Sequence, residues 1–481
     1  MNTLAAKTPW MPSYGWWLLT AAVVATGVFM NWFIALGVLV FMMVQIFRPF
    51  DFIATTLVVT AGSTFVYYEG GNLTLQLSLL TCAIVLMLTS YFFTATGRTF
   101  TLRWSPLTWP ILMYLGWALI NAARGVLTGY PPKSILFELL PVLAIATTFM
   151  VANIFQARRD LHLVFVALVG IACGSAGLGF WVFSVIHTHT SGVYFNWVPG
   201  LMAIFMINLA LRSKNLYATL AWALGSLPFF MHQFLSFRRA LWIGCIAGLL
   251  TTALMFGIRG GRRRWSHVGL VMGLVFGSGA VGAVSLELLY GQADILAASV
   301  GRFASIGNTE LSMETRSNVI RLIETAGVLK LIWQSPVVGH GLGFTFVIPN
   351  PIQGGRMRPQ WWMDQNYFLI WVTQGIIGVA LYAWLLWRGF LFTLRHARKR
   401  QDPWEASWFA TTAAMTIFLT LYSVSDWPFY QVGPAFLIAL LYGACIAMAS
   451  QRSIQFHWSP SAAGWRRGGD RAPAEPATEN P

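Results

Sequence analysis

Residues 356–382 read "RMRPQWWMDQNYFLIWVTQGIIGVALY", and the order of residue types in this stretch decides the fold. Two arginines come first, then two tryptophans, then an apolar run that continues past Tyr382 to Trp387. Charge, then aromatic rings, then hydrocarbon is the order in which a chain passes from water through the headgroup layer into a bilayer. A span needs roughly 20 apolar residues. Working outward, such runs recur at 14–30, 32–47, 51–68, 74–95, 107–126, 134–155, 161–186, 195–211, 216–235, 240–258, 266–290, 367–392, 405–424 and 433–450. The first two are divided at Asn31, because the undivided run is too long for a single crossing at ~1.5 Å per residue. The expected fold is therefore all-α: a polytopic helical membrane protein of about 14 transmembrane helices.

Composition agrees. Of the 481 residues 57% are hydrophobic and 10% charged, with 23 Trp and 35 Phe, well outside the soluble globular range. The net charge of +15 raises the question of nucleic acid, but the basic residues fall in short clusters between apolar runs, such as "RGGRRRW" and "RHARKR". With the N-terminus in the cytoplasm, Arg48, Arg98, Arg103, Arg158, Arg159, Arg212, Lys214, Arg259 to Arg264 and Arg395 to Arg400 share one side. That is the positive-inside bias, so no nucleic-acid partner is expected. Both termini are expected in the cytoplasm, with the first apolar run kept as a signal anchor.

Four regions follow. Residues 1–290 form an N-terminal bundle of about 11 spans, 291–366 a large loop on the opposite face, 367–450 about three further spans, and 451–481 a disordered cytoplasmic tail rich in Pro, Ala and charge. Neither half repeats the other, and a lone large loop after the eleventh span breaks the inverted symmetry many transporters show. The cysteines Cys82, Cys173, Cys245 and Cys445 lie inside apolar runs without CxxC spacing, so neither a metal site nor a disulfide is expected. No cofactor is implied.

The candidate site residues gather on the face away from the positive clusters. In "FLSFRRALWIG" (234–244), Arg238 and Arg239 stand on that face between two apolar runs. They either snorkel to headgroups or line a site, and since adjacent helical residues point ~100° apart, one is expected to face the interior and the other to support it. In the loop, "SMETRSNVIRLIETAGVLKLIWQSP" (312–336) reads as an amphipathic helix with Val319, Leu322, Ile323, Ala326, Leu329 and Trp333 at three- and four-residue spacing. Arg316 borders that stripe, and Arg321 lies in the polar face near Glu324. The following "VVGHGLGF" (337–344) places Gly339, Gly341 and Gly343 around His340. Such a turn either exposes its amides to a phosphate or serves as a plain connector; His340 is either a phosphate donor or solvated. Asp364, just before the next span, is either an N-cap or a general base. Within the spans, Glu138 at depth calls for a partner, with Arg124 and Lys133 nearest in sequence.

"ETRSNVIRLIETAGVLKLIWQSPVVGHGLG" followed by "DQNYFLIWVTQGIIG" resembles the O-antigen ligase/polymerase superfamily, membrane glycosyltransferases that use undecaprenyl-diphosphate-linked sugars. The parts of the resemblance are Arg238-Arg239-Ala240, Arg316 opening the loop helix, the turn from Pro336 to Gly341, and Gly375-x-x-Gly378. Ligases of this superfamily carry a histidine, then Asn, Ser or Gln, nine residues, and Gly-x-x-Gly. Counting back from Gly375 puts Gln365 at the second position and Asp364 where the histidine stands in ligases, a departure that resembles the polymerase branch.

The resemblance implies metal-independent, inverting transfer of a glycan from a lipid diphosphate to a sugar hydroxyl in the bacterial inner membrane. Arg238, Arg239, Arg316, Arg321 and His340 would hold the diphosphate, and Asp364 would accept the hydroxyl proton. The expected activity is polymerisation of lipid-linked repeat units into exopolysaccharide or O-antigen on the periplasmic face. The alternatives are ligation onto a lipid A-core or protein acceptor and, from another class, a flippase or exporter of lipid-linked oligosaccharide. The implied partners are the undecaprenyl-diphosphate-linked glycan, membrane lipid, and a chain-length regulator or flippase.

Overall fold

A computed structural model describes residues 100–154, 158–186, 197–235, 239–258, 264–277, 313–350, 356–360, 365–424, 432–450 and 453–456. The four runs expected between 14 and 95, the signal anchor, and the C-terminal part of the run at 266–290 lie outside the described residues. In chain order the elements are β1 (Phe100–Arg103), α1 (Thr108–Thr128), α2 (Pro132–Ala146), α3 (Thr148–Ile154), α4 (Arg158–Ile186), α5 (Trp197–Arg212), α6 (Leu216–Gly225), α7 (Leu227–Leu235), α8 (Arg239–Gly257), α9 (264–277), α10 (Met313–Gln334), β2 (Phe346–Asn350), β3 (Arg356–Gln360), α11 (Asn366–Lys399), α12 (Pro403–Tyr422), α13 (Val432–Ala449) and β4 (Ser453–Phe456).

The chain is predominantly helical, and every apolar run expected from 107 onward has helix at its place. Among the described residues four helical stretches are long and apolar enough to cross a membrane by length and composition: Thr108–Thr128, Pro132–Asn153, Ala240–Gly257 and Asn366–Lys399. Trp197–Arg212 and Pro434–Ala449 are shorter apolar helices.

Local chemistry sets the boundaries. Gly129, at φ 83°, closes α1 in the left-handed conformation, and Pro132 opens α2 where a missing N–H leaves no bond unmade. Between α2 and α3 the helix breaks at Thr147. There the hydroxyls of Thr147 and Thr148 each bond a carbonyl one turn back, at 2.6 Å. The Asp402 carboxylate accepts from the Trp404 amide at 3.0 Å and Pro403 follows it, a strong start for α12.

The buried centre is formed by α5, α8, α11, α12 and α13, with Trp408, Tyr382, Tyr422 and Tyr442 fully enclosed. Gly244 and Gly248 bring α8 against α12 and α5; a Cβ on Gly248 would sit 2.8 Å from Ile204 Cδ1. Asn208 ties these helices together, its Nδ2 donating to Thr252 Oγ1 at 3.3 Å and Thr411 Oγ1 at 3.2 Å. In an apolar surround such a bond replaces water that is absent.

Helix direction gives the bundle two distinct ends. One gathers the C-terminal turns of α1 and α12 and the start of α11, where the Asn366 amide bonds the Ser423 carbonyl at 3.2 Å. The other gathers basic residues: Arg103 Nη1 reaches Ala447 O at 3.1 Å, and Arg400 pairs with Glu405 at 3.2 Å. The sequence-based sides therefore correspond to opposite ends of the folded bundle for these residues.

Two features differ from expectation, and a third sharpens one. Two small antiparallel ladders, β1 with β4 and β2 with β3, accompany the helices. Ser453–Phe456 belongs to a strand although it falls in the segment assigned to a disordered tail; the Pro- and Ala-rich composition behind that assignment begins only at Ser459. On α10 the buried face is Val328 and Ile332, whereas Leu329 is 40% and Trp333 80% exposed. The helix thus has one apolar edge against protein and another, with Leu329 and Trp333, turned outward, where apolar residues of a protein bathed in lipid need not meet protein.

At the α5–α8–α12 seam, Gly248→Leu is expected to overpack the contact with Ile204 and destabilise by about 1–3 kcal/mol. Thermal unfolding of the detergent-solubilised protein, read against Gly269→Ala at a position with open space around it, checks this.

Candidate functional site

The 34-residue helix α11 is interrupted at Gly375, where φ is 71° and ψ −175°. An uninterrupted helix would join the Ile376 and Ile377 amides to the carbonyls of Val372 and Thr373. Here the turn after α10 takes both sets of groups. Ile376 N donates to Pro336 O at 3.0 Å and Ile377 N to Val337 O at 3.4 Å. In return, His340 N donates to Val372 O at 2.8 Å and Gly341 N to Thr373 O at 2.9 Å. Two indole N–H groups complete the junction, Trp371 to Pro336 O at 3.0 Å and Trp117 to Gln374 O at 2.9 Å.

Backbone meets backbone here, which is why the motif needs glycine. A Cβ on Gly375 would lie 2.0 Å from Val337 O, and one on Gly339, at φ 68°, would lie 2.5 Å from Gly375 N.

The same turn docks on α1 and α2. Leu342 N donates to Asn121 O at 3.1 Å, and Gly343 N to Glu138 Oε2 at 2.9 Å. Arg124 donates from Nη1 to Val338 O at 2.8 Å and to Asn121 Oδ1 at 2.9 Å, and from Nη2 to Gly339 O at 3.0 Å. The expected pairing of Arg124 with Glu138 is thus replaced: both side chains hold the turn, one by its carbonyls and the other by an amide. Glu138 is buried, and its Oε1 has no hydrogen-bond partner.

These bonds also decide between the two readings of the glycine turn. The amides of Gly339, His340, Gly341, Leu342 and Gly343 all donate within the protein, the first to Ser335 O at 3.1 Å. A connector locked to three helices results, with its amides turned inward rather than toward a phosphate. His340 Nε2 lies 3.0 Å from Leu331 O and its ring stacks on Phe344 at 4.3 Å. Because a carbonyl only accepts, Nε2 is the donor in this bond. Beside it, partial burial pushes the Tyr130 phenol up from its ordinary value, against the opposing pull of Arg124.

Of the remaining sequence-predicted residues, Arg238 and Asp364 lie outside the described residues. Arg239 opens α8, and Arg316 and Arg321 occupy the first half of α10, each placed by backbone alone. The helix carrying Arg316 and Arg321 is tied to the start of α11: Thr325 Oγ1, one turn beyond Arg321, donates to Gln365 Oε1 at 3.1 Å. Gln365 follows Asp364 directly.

Sequence reasoning missed Asn366. It is fully buried at the start of α11, and neither its Oδ1 nor its Nδ2 has a partner. The signal available was its place two residues after an acid at a helix start. Among the described residues no group of His, Cys, Asp and Glu could hold a metal.

Glu138→Ala is expected to strand the Gly343 amide and destabilise by about 1–3 kcal/mol, while Glu138→Gln keeps an acceptor and most of the stability. Thermal unfolding of both variants decides it. Asn366→Leu, which removes a buried amide without partners, is expected to unfold at or above the parent temperature; the same unfolding assay reads the outcome.

Residues 224–383 match the family model described as O-antigen ligase. No curated protein matches the chain. The matched segment begins in the last turn of α6 and ends just beyond the Gly375 break, so it contains α8, α10, the glycine turn and the broken part of α11. Through that segment, about a third of its length, the chain is similar to the O-antigen ligase family.

Proposed function

We propose that this chain is an inner-membrane glycosyltransferase that polymerises undecaprenyl-diphosphate-linked repeat units on the periplasmic face, as a bundle of about 14 spans with both termini in the cytoplasm. The observation carrying this reading is the tie from Thr325 to Gln365, which holds the helix of Arg316 and Arg321 to the residue beside Asp364 within a ligase/polymerase domain.

In this reading Arg238 and Arg316, supported by Arg239, Arg321 and His340, grip the diphosphate of the donor. Charge-assisted hydrogen bonds of this kind contribute roughly 1.5–3 kcal/mol each, more where water is scarce. The acceptor hydroxyl oxygen attacks the anomeric carbon from the face opposite the diphosphate. The bond from that carbon to the diphosphate oxygen breaks, and undecaprenyl diphosphate departs with the electron pair. Asp364 takes the hydroxyl proton. A carboxylate of ordinary pKa near ~3.9 suffices, because the hydroxyl becomes acidic only as its oxygen bonds to carbon. No step requires a metal or a nucleotide sugar.

An aspartate, rather than histidine, nine residues and one before Gly-x-x-Gly favours polymerisation over ligation. In vitro transfer with a defined lipid-linked repeat unit is expected to give a ladder of lengthening lipid-linked chains. A single product on a lipid A-core or protein acceptor instead assigns a ligase. Asp364→Asn is expected to slow transfer roughly 10²–10⁴-fold, and Arg316→Ala about tenfold or more. In cells both variants should still display single repeat units outside; repeat units trapped in the cytoplasm would assign a flippase.

A further inference from the structure

At the basic end of the bundle two arginines, Arg212 and Arg264, come to one corner, and among the described residues neither forms an ion pair with an acid. Arg212 is the last residue of α5, a helix whose preceding residues are all buried. Its guanidinium folds back, Nη1 donating to Asn208 Oδ1 at 2.9 Å and more distantly to Asn208 O at 3.4 Å. Asn208 is itself fixed by Thr252 of α8 and Thr411 of α12. Three helices therefore set the position of Arg212, and every acceptor they offer it is neutral.

The end of α8 and the start of α9 meet near this residue. The Trp265 ring packs on Gly257, where a Cβ would come within 2.7 Å of it. The Arg264 guanidinium lies 5.4 Å above the Phe256 ring, and His267 Nε2 lies 3.5 Å from Ala210 O in the last turn of α5. Arg264 stands three residues before His267 and Ala210 two before Arg212, so this contact sets the start of α9 against the end of α5 that carries Arg212. The corner itself, "IRGGRRRW" at 258–265, contains four arginines and no acid. Arg400, at the same end, shows the alternative: Glu405 stands 3.2 Å away. Bringing like charges together against a buried polar network is unfavourable unless an anion joins them.

We propose that Arg212 and Arg264 form a binding site for the phosphate of an anionic phospholipid headgroup, at the corner of α5, α8 and α9. Guanidinium forks match phosphate oxygens in pairs. The surroundings fit a lipid better than a free ion: Leu250, Leu254 and Ile258 on α8 and Trp265 on α9 are 58%, 48%, 64% and 43% exposed. An apolar surface thus runs along α8 to the same corner, suited to acyl chains, with a tryptophan at headgroup level. This site lies at the opposite end from the glycine turn and does not depend on the glycosyltransferase reading.

The test is native mass spectrometry of the full chain in detergent with phosphatidylglycerol or phosphatidylcholine added. The parent is expected to retain one phosphatidylglycerol in preference to phosphatidylcholine. Arg264→Gln, at an exposed position whose loss leaves the core intact, is expected to weaken that adduct about tenfold. Arg212→Lys, which keeps the charge but not the fork, is expected to weaken it by less. Arg395→Gln, an exposed cation at the same end, should leave it unchanged, as should millimolar inorganic phosphate. Unaltered binding by Arg264→Gln overturns the proposal. So does an equal loss in Arg395→Gln, which marks diffuse surface charge, or displacement by inorganic phosphate, which marks a free-anion site.

Discussion

Everything at the site end of the molecule depends on two hydrogen bonds that α11 does not make with itself. Where Gly375 turns the backbone to positive φ, the helix gives up the bonds from Ile376 and Ile377 to Val372 and Thr373. Broken helical bonds in an apolar bundle are tolerated only when other protein groups take both halves. The turn from Pro336 to Gly341 does so, donor for donor and acceptor for acceptor. It thereby fixes the end of α10 relative to the break in α11. Arg124, Asn121 and Glu138 extend the junction to α1 and α2.

The consequence for chemistry is placement. Among the sequence-predicted residues, those that carry charge lie on α8, α10 and the approach to α11, and their supports lie on α1, α2 and the turn. A backbone joint between α10 and α11, with the bond from Thr325 to Gln365, sets the helix bearing Arg316 and Arg321 against the start of α11, with little left to side-chain rotamers. The unpartnered Oε1 of Glu138 lies against this turn and the orphaned side-chain amide of Asn366 at the start of α11, where a structure optimised for stability alone would have removed them.

The parts of this arrangement legible in the sequence are those with local causes. Apolar runs and their flanking charges locate helices because each run reports its own surroundings. Gly339, Gly341 and Gly375 announce unusual backbone by residue type alone. The rest depends on partners far along the chain. Whether the turn's amides face a ligand or the protein is settled by Asn121 and Glu138, more than two hundred residues earlier. Arg124 and Glu138 are near in sequence and of opposite charge, yet each meets a different edge of the turn. On α10, likewise, an apolar stripe does not identify the side that meets protein where lipid is the alternative; Thr325, Val328 and Ile332, spaced three and four apart, mark that side.

The joint also bears on how the chain is made. Synthesis runs from the N-terminus, so the carbonyls of Pro336 and Val337 exist before Ile376 and Ile377 leave the ribosome, and α1, α2 and Glu138 exist earlier still. When α11 enters the bilayer, the groups that complete it are already there. A helix with a deliberate gap need never wait in hydrocarbon for a later segment, and the order of the genetic message is itself a folding instruction.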